Sequence, residues 1–149
     1  MPGYKGHLAG GAAVGGGALA AAVYFSYLPN DIWLLSALFA IAVMASLFPD
    51  TDTESKGQNF FYSIMAITDI LLIVNHYYQW AAILGLFAML PALGKHRGWT
   101  HTWWAMLLVP APLIALPWIF FREEWTVTLP FYLAAVVGYF SHLLLDREF

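Results

Sequence analysis

The chain has no cysteine. Disulfides and thiolate metal sites are therefore excluded, and any metal must be held by nitrogen and oxygen ligands. Charge is nearly as scarce. Asp, Glu, Lys and Arg make up 10% of the residues, against about 25% in an ordinary soluble domain. The formal net charge is only −3 and no basic run occurs, which excludes nucleic acid as a partner. Also lacking is any soluble segment long enough to bury a second core, so residues 1–149 are read as one domain.

What the chain has instead is apolar length. Hydrophobic residues reach 61%, against a usual value of about 45–50%. Residues 32–48, 102–121 and 127–145 carry no charged side chain. A bilayer core of about 30 Å asks for roughly 20 such residues per helix. The fold class is therefore all-α, a polytopic transmembrane helical bundle of about six helices. The first is expected over residues 8–28, rich in glycine and alanine, which let helices approach closely in lipid and leave room for a homo-oligomer contact. It is read as retained: the apolar run is about as long as a full span, and cleavage would remove His7. The second is expected over 32–48, stopped by Pro49. Residues 60–94 are too long for one span and short for two, and the polar break Asn75-His76-Tyr77-Tyr78-Gln79 points to a hairpin of two short helices. A fifth helix over 99–121 should kink at Pro110, Pro112 and Pro117, and a sixth runs over 127–145.

Charge orients this topology. With six helices, the N-terminus, the 2–3 loop, the 4–5 loop and the C-terminus share a side holding Lys5, Lys56, Lys95, Arg97 and Arg147. The opposite side holds only Arg122. The positive-inside rule places the first side in the cytoplasm. A five-helix alternative, with 60–94 as one tilted span, would split the basic residues between the two faces.

The same six-helix parity collects seven metal-ligand-type side chains on the cytoplasmic side: His7, Asp50, Asp52, His96, His101, His142 and Asp146. His142 and Asp146 are four apart and share a helix face. Each taken alone has a bland reading, a histidine bonded to a neighbouring helix and a solvated aspartate. Asp50 and Asp52 suit a hard or borderline cation, although a solvated loop after Pro49 is the commoner outcome. His96-Arg97-Gly98-Trp99-Thr100-His101 is the sharpest pattern. Two imidazoles flank a glycine turn, and Arg97 offers a planar fork to phosphate; the competing reading is an interfacial anchor. A lone His7 would be incidental but for falling on the same side. His76 belongs to the opposite face and is excluded. Asp69, mid-helix, is open between a supporting role, a proton relay and a bundle-facing polar group. Glu54, Thr100, Thr102 and Ser141 can orient ligands by hydrogen bonds.

Three blocks, Leu47-Phe-Pro-Asp-Thr-Asp52, His96-Arg-Gly-Trp-Thr-His-Thr102 and Gly138-Tyr-Phe-Ser-His-Leu-Leu-Leu-Asp146, resemble the signature blocks of the YdjM-like family. Those proteins are described as inner-membrane, metal-dependent hydrolases of bacteria and archaea. The resemblance covers essentially the whole chain and implies an integral inner-membrane, multi-pass protein; the histidine near the family's N-terminus is matched by His7. The His142–Asp146 spacing also looks like the zinc-binding end of zinc-dependent phospholipases C, which cleave phosphoesters with a cluster of zinc ions.

The expectation is thus a membrane-bound metal-dependent hydrolase, cleaving a phosphoester of a lipid or lipid-linked substrate with a metal-activated water. Seven candidate ligands exceed the four one tetrahedral zinc takes, so two divalent ions, zinc or manganese, are expected. Arg97 would hold the phosphate, and Asp52 is the first candidate for the base, with Asp50 and Asp146 as the others. The alternatives are a zinc-dependent lipid amidase or esterase, and a non-enzymatic divalent-metal transporter or sensor.

Overall fold

The computed structural model describes residues 3–52, 55–90 and 99–146; of Asp52 it describes the backbone only. Seven α-helices follow one another: α1 Tyr4–Tyr24, α2 Ile32–Ala45, α3 Lys56–Val74, α4 Tyr78–Met89, α5 Trp103–Leu108, α6 Pro112–Phe121 and α7 Trp125–Asp146. Helices α5 and α6 are two halves of one apolar segment, so the count agrees with six helices. No strand occurs among the described residues. Among the described residues, four segments are long and apolar enough to cross a membrane: α1, α3, Trp103–Phe121 and α7. Helices α2 and α4 have 14 and 12 residues, or about 21 and 18 Å at 1.5 Å per residue.

The element ends follow from local chemistry. Helix α1 starts four residues earlier than hydropathy alone indicates, because polar Lys5 and His7 are as helix-competent as the run they precede; His7 is therefore inside the helix rather than before it. The chain leaves the helix at Phe25, with Ser26 in the left-handed region at φ 61°, ahead of Pro29. The Asp31 carboxylate accepts from the amides of Trp33 and Leu34 at 2.8 and 2.9 Å and starts α2. Helix α2 ends at Ala45, and Phe48–Asp52, including Pro49, forms a 3₁₀ turn. Ser55 caps α3 by accepting from Gln58 N–H at 3.0 Å, so the polar run from Lys56 to Asn59 is the first turn of a 19-residue helix and not a loop. Helix α3 is accordingly a full-length span rather than a short one. The break at Asn75–Tyr77 lies where the polar cluster places it, with His76 at φ 64°, a conformation histidine tolerates better than most residues. Pro110 has no amide hydrogen and divides α5 from α6, whereas Pro117 is accommodated inside α6.

The tightest packing joins α1, α2 and α7. A Cβ on Gly138 of α7 would run into the Ala42 carbonyl of α2, and one on Gly11 of α1 into the Ser46 side chain. Small residues thus let three helices meet at backbone distance. A second layer of larger side chains, with Phe48, Phe61, Tyr139 and Leu143 at its centre, joins α3 and α5 to this trio. Outward faces carry Ile67, Ile70 and Leu71, and aromatic residues Tyr24, Tyr27 and Trp33 ring the α1–α2 turn, as at a membrane interface.

Candidate metal centre

Five of the seven expected ligand residues meet where α1 begins and α7 ends. His7 comes from the first turns of α1, Asp50 from the 3₁₀ turn after α2, His101 from the 3₁₀ turn Trp99–His101 before α5, and His142 and Asp146 from the last two turns of α7. Side chains of His7, His142 and Asp146 are at most 3% exposed and that of His101 is 6% exposed. The Asp50 side chain is 35% exposed, so the centre opens past Asp50.

The two carboxylates each divide their oxygens between two sets of imidazoles. Asp50 Oδ1 faces His101 Nε2 at 3.5 Å and His142 Nε2 at 3.7 Å, while its Oδ2 faces His7 Nε2 at 3.7 Å. Asp146 Oδ2 faces His142 Nε2 at 3.4 Å, while its Oδ1 faces His7 Nε2 at 3.4 Å. The His142 and His101 Nε2 atoms stand 3.4 Å apart, and the rings of His7 and His142 stack at 3.9 Å. These separations exceed the roughly 2.7–2.9 Å of a charge-assisted hydrogen bond. One ligand atom from each of Asp50, His101, His142 and Asp146 lies within 4.8 Å of every other, so these four can hold a metal ion.

Hydrogen bonding prepares the ring nitrogens for that task. His142 Nδ1 donates to the Ser46 carbonyl at 2.8 Å, which fixes the tautomer and leaves the Nε2 lone pair directed into the centre. Thr100 Oγ1 lies 3.2 Å from His101 Nδ1 and can do the same for His101. Both ring nitrogens of His7 and Oδ1 of Asp146 are buried without a hydrogen-bond partner. Such atoms each cost about 1–3 kcal/mol, a penalty that a cation held between His7 Nε2 and Asp146 Oδ1 would remove for those two. Burial works against ionisation of Asp50. The imidazoles of His101, His142 and His7 gathered around it outweigh burial and hold the carboxyl below its usual range.

The other expectations divide. His96 and Arg97 lie outside the described residues, as does Glu54, and so does the side chain of Asp52. His76 is exposed in the α3–α4 turn, its Nδ1 2.8 Å from the Tyr78 hydroxyl, and is not among the ligand group. Thr102 donates to the Trp99 carbonyl at 2.6 Å and caps α5. Ser141 donates to the Gly138 carbonyl at 2.6 Å. Both bond to backbone rather than to an imidazole.

Two supporting residues have no mark in the sequence as metal chemistry. Ser46 acts on His142 through its backbone carbonyl, and its hydroxyl donates to the His7 carbonyl at 3.0 Å, linking the helices that carry these two histidines. Tyr139, buried one turn before His142, donates its hydroxyl to the Thr100 carbonyl and so ties the His101 turn to α7. Its spacing of three from His142 on one helix face was the available signal.

Neither the curated proteins nor the solved structures contain a match to the chain. A family model does match it, over residues 1–147: the chain belongs to the YdjM inner membrane protein family.

Proposed function

We propose that the protein is a membrane-bound metal-dependent hydrolase that cleaves a phosphoester of a lipid or lipid-linked substrate at the cytoplasmic face of the inner membrane. The observation that carries this reading is the division of both carboxylates. Asp50 and Asp146 each point one oxygen toward His7 and the other toward the His101–His142 side. His7, Asp50, His101, His142 and Asp146 would hold two divalent ions, and their nitrogen and oxygen donors fit zinc and also manganese. Ions held there would supply Lewis acidity and activate a water at neutral pH.

The residues supply the rest. The Ser46 carbonyl and the Thr100 hydroxyl hold two imidazoles in their ligating orientation. Asp50, partly exposed and kept ionised, borders the open side where substrate arrives. Arg97 binds the substrate phosphate and offsets charge that develops there. One of Asp50, Asp52 and Asp146 takes a proton as general base. The cytoplasmic placement rests on Lys5, Lys56, Lys95, Arg97 and Arg147 sharing the side of the centre in a six-helix topology.

Elemental analysis of the purified protein, followed by phosphate release from a phospholipid panel with ceramide-like amides alongside, tests the reading. About two zinc or manganese ions per chain, with phosphoester cleavage lost in His101→Ala and His142→Ala, is the expected result. Full activity in either variant would sink it, and cleavage of the amides alone would move the activity to a lipid amidase. A second reading, a divalent-cation transporter, draws on Asp69, in the last third of α3 with one carboxylate oxygen buried and unpartnered. Metal flux into liposomes carrying the protein would favour it.

A further inference from the structure

A chamber of about 350 Å³ lies between the α3–α4 hairpin and a wall made by α2, the α5–α6 junction, α6 and α7. One end is next to the metal centre. The rings of Phe48 and Tyr139, 5.9 Å apart between centroids, border that end; Phe48 is two residues before Asp50 and Tyr139 three before His142. At the other end Trp80, in the first turn of α4, stacks on Phe121 at 4.7 Å. Along α3 the chamber extends from Phe61 to Leu72, about 16 Å at the helical rise.

The lining is hydrocarbon almost throughout. The side-chain polar atoms among the lining residues are those of Thr68, Tyr139 and Trp80; the Thr68 hydroxyl donates to the Ile64 carbonyl at 2.9 Å and that of Tyr139 to the Thr100 carbonyl. The space therefore offers a polar ligand almost no polar surface. The volume is at the low end of the roughly 300–1,000 Å³ typical of ligand pockets, which suits one hydrocarbon tail and not two. The outer faces of the hairpin carry exposed Ile67, Leu71 and Leu86, so the surrounding medium that could supply an occupant is itself lipid.

We infer that the chamber seats one acyl chain of a phospholipid whose phosphate sits at the metal centre. The headgroup half of this assignment rests on the hydrolase reading; the tail half rests on the chamber alone. Moving a tail from bilayer to protein gains little hydrophobic free energy, because both are equally apolar. The chamber therefore selects by length and shape, and the phosphate does the anchoring. The stacked pair Trp80 and Phe121 sets the depth limit.

The test is photolabelling of the full-length protein in vesicles containing a phosphatidate with a diazirine at the end of one acyl chain, with adducts mapped by peptide mass spectrometry. Adducts should concentrate on the lining residues Leu72, Leu84 and Leu113 over the outward Ile67, Leu71 and Leu86. Leu84→Trp, which fills the space the tail needs, should lower lining adducts about tenfold with metal content unchanged. Equal labelling of lining and outward residues, or no effect of Leu84→Trp, overturns the inference, as does stronger protection by a polyprenyl phosphate than by unlabelled phosphatidate. Hydrolysis is read separately as phosphate release. Lining adducts without hydrolysis keep the chamber and count against the hydrolase; hydrolysis without lining adducts does the reverse.

Discussion

Helices α1 and α3 have nearly the same length and similar hydropathy, yet they do opposite work. Helix α1 offers glycine at the positions that face α2 and α7, and it sinks between them until Gly11 meets Ser46 and Gly15 meets Ala42. It carries His7, which faces both carboxylates, into the closest-packed part of the molecule. Helix α3 presents large side chains to its surroundings and joins the bundle near its start, where Phe61 meets Phe48 at 6.0 Å. Beyond that contact it stands off, and the chamber occupies the space left. Close packing fixes where a side chain such as that of His7 sits; loose packing leaves volume for a guest. In lipid this difference must come from side-chain size, since burial of apolar surface rewards neither arrangement.

The most severe way to break the comparison is on the packed side. His142→Ala removes the residue that connects both carboxylates and His101. Metal affinity should fall by more than the roughly 10–100-fold seen when a supporting partner is lost, while circular dichroism reports an intact helical bundle. Elemental analysis after equilibration with limiting zinc checks this. A variant that stays fully loaded would remove His142 from the ligand set.

Gly138→Ala comes next. Its Cβ meets the Ala42 carbonyl, which is backbone and cannot turn aside, so α2 and α7 must separate. Overpacking of this kind costs about 1–3 kcal/mol, to be read as a lower unfolding midpoint in detergent. Because Ser46 is one turn beyond Ala42 and holds His142 through its carbonyl, metal affinity should fall with stability. Loss of stability with affinity untouched would mean that packing and ligand placement are separable.

Thr100→Val has a smaller effect, confined to the centre. It keeps the shape of a buried side chain and removes the oxygen beside His101 Nδ1. Zinc affinity should drop about tenfold with the unfolding midpoint nearly unchanged. An unaltered affinity would show that His101 is oriented by something other than the Thr100 hydroxyl.

The sequence made half of the comparison readable. Period and apolar length give the helices, and the ligand types at their ends give five residues that do converge: His7, Asp50, His101, His142 and Asp146. The glycines of α1 and their meaning in lipid were also legible. Three things were not. The starts of α1 and α3 shifted because hydropathy marks the membrane-compatible run, whereas the N-cap positions Gly3 and Ser55 mark where the helix begins. The role of Ser46 was hidden because a backbone carbonyl belongs to every residue alike. The chamber was hidden because an apolar residue facing a cavity and one facing lipid look the same in sequence; only the standing-off of α3 and α4 separates Leu84 from Leu86.

Gly85→Ala should have the least effect, and it isolates the comparison most cleanly. Gly85 is in the middle of α4, as Gly138 is in the middle of α7, and the intrinsic helix term for replacing glycine by alanine is the same at both: a gain of roughly 0.5–1 kcal/mol. A Cβ at Gly85 meets nothing within 4 Å. The substitution should therefore be neutral or raise the unfolding midpoint slightly, with metal content unchanged, while the identical change at Gly138 lowers both. The sign difference comes from packing alone, since propensity cancels between the two sites. If Gly85→Ala proved as damaging as Gly138→Ala, α4 would have a close neighbour that the described contacts lack, such as a second copy of the chain. The hairpin would then be an interface rather than the loosely packed wall of a chamber.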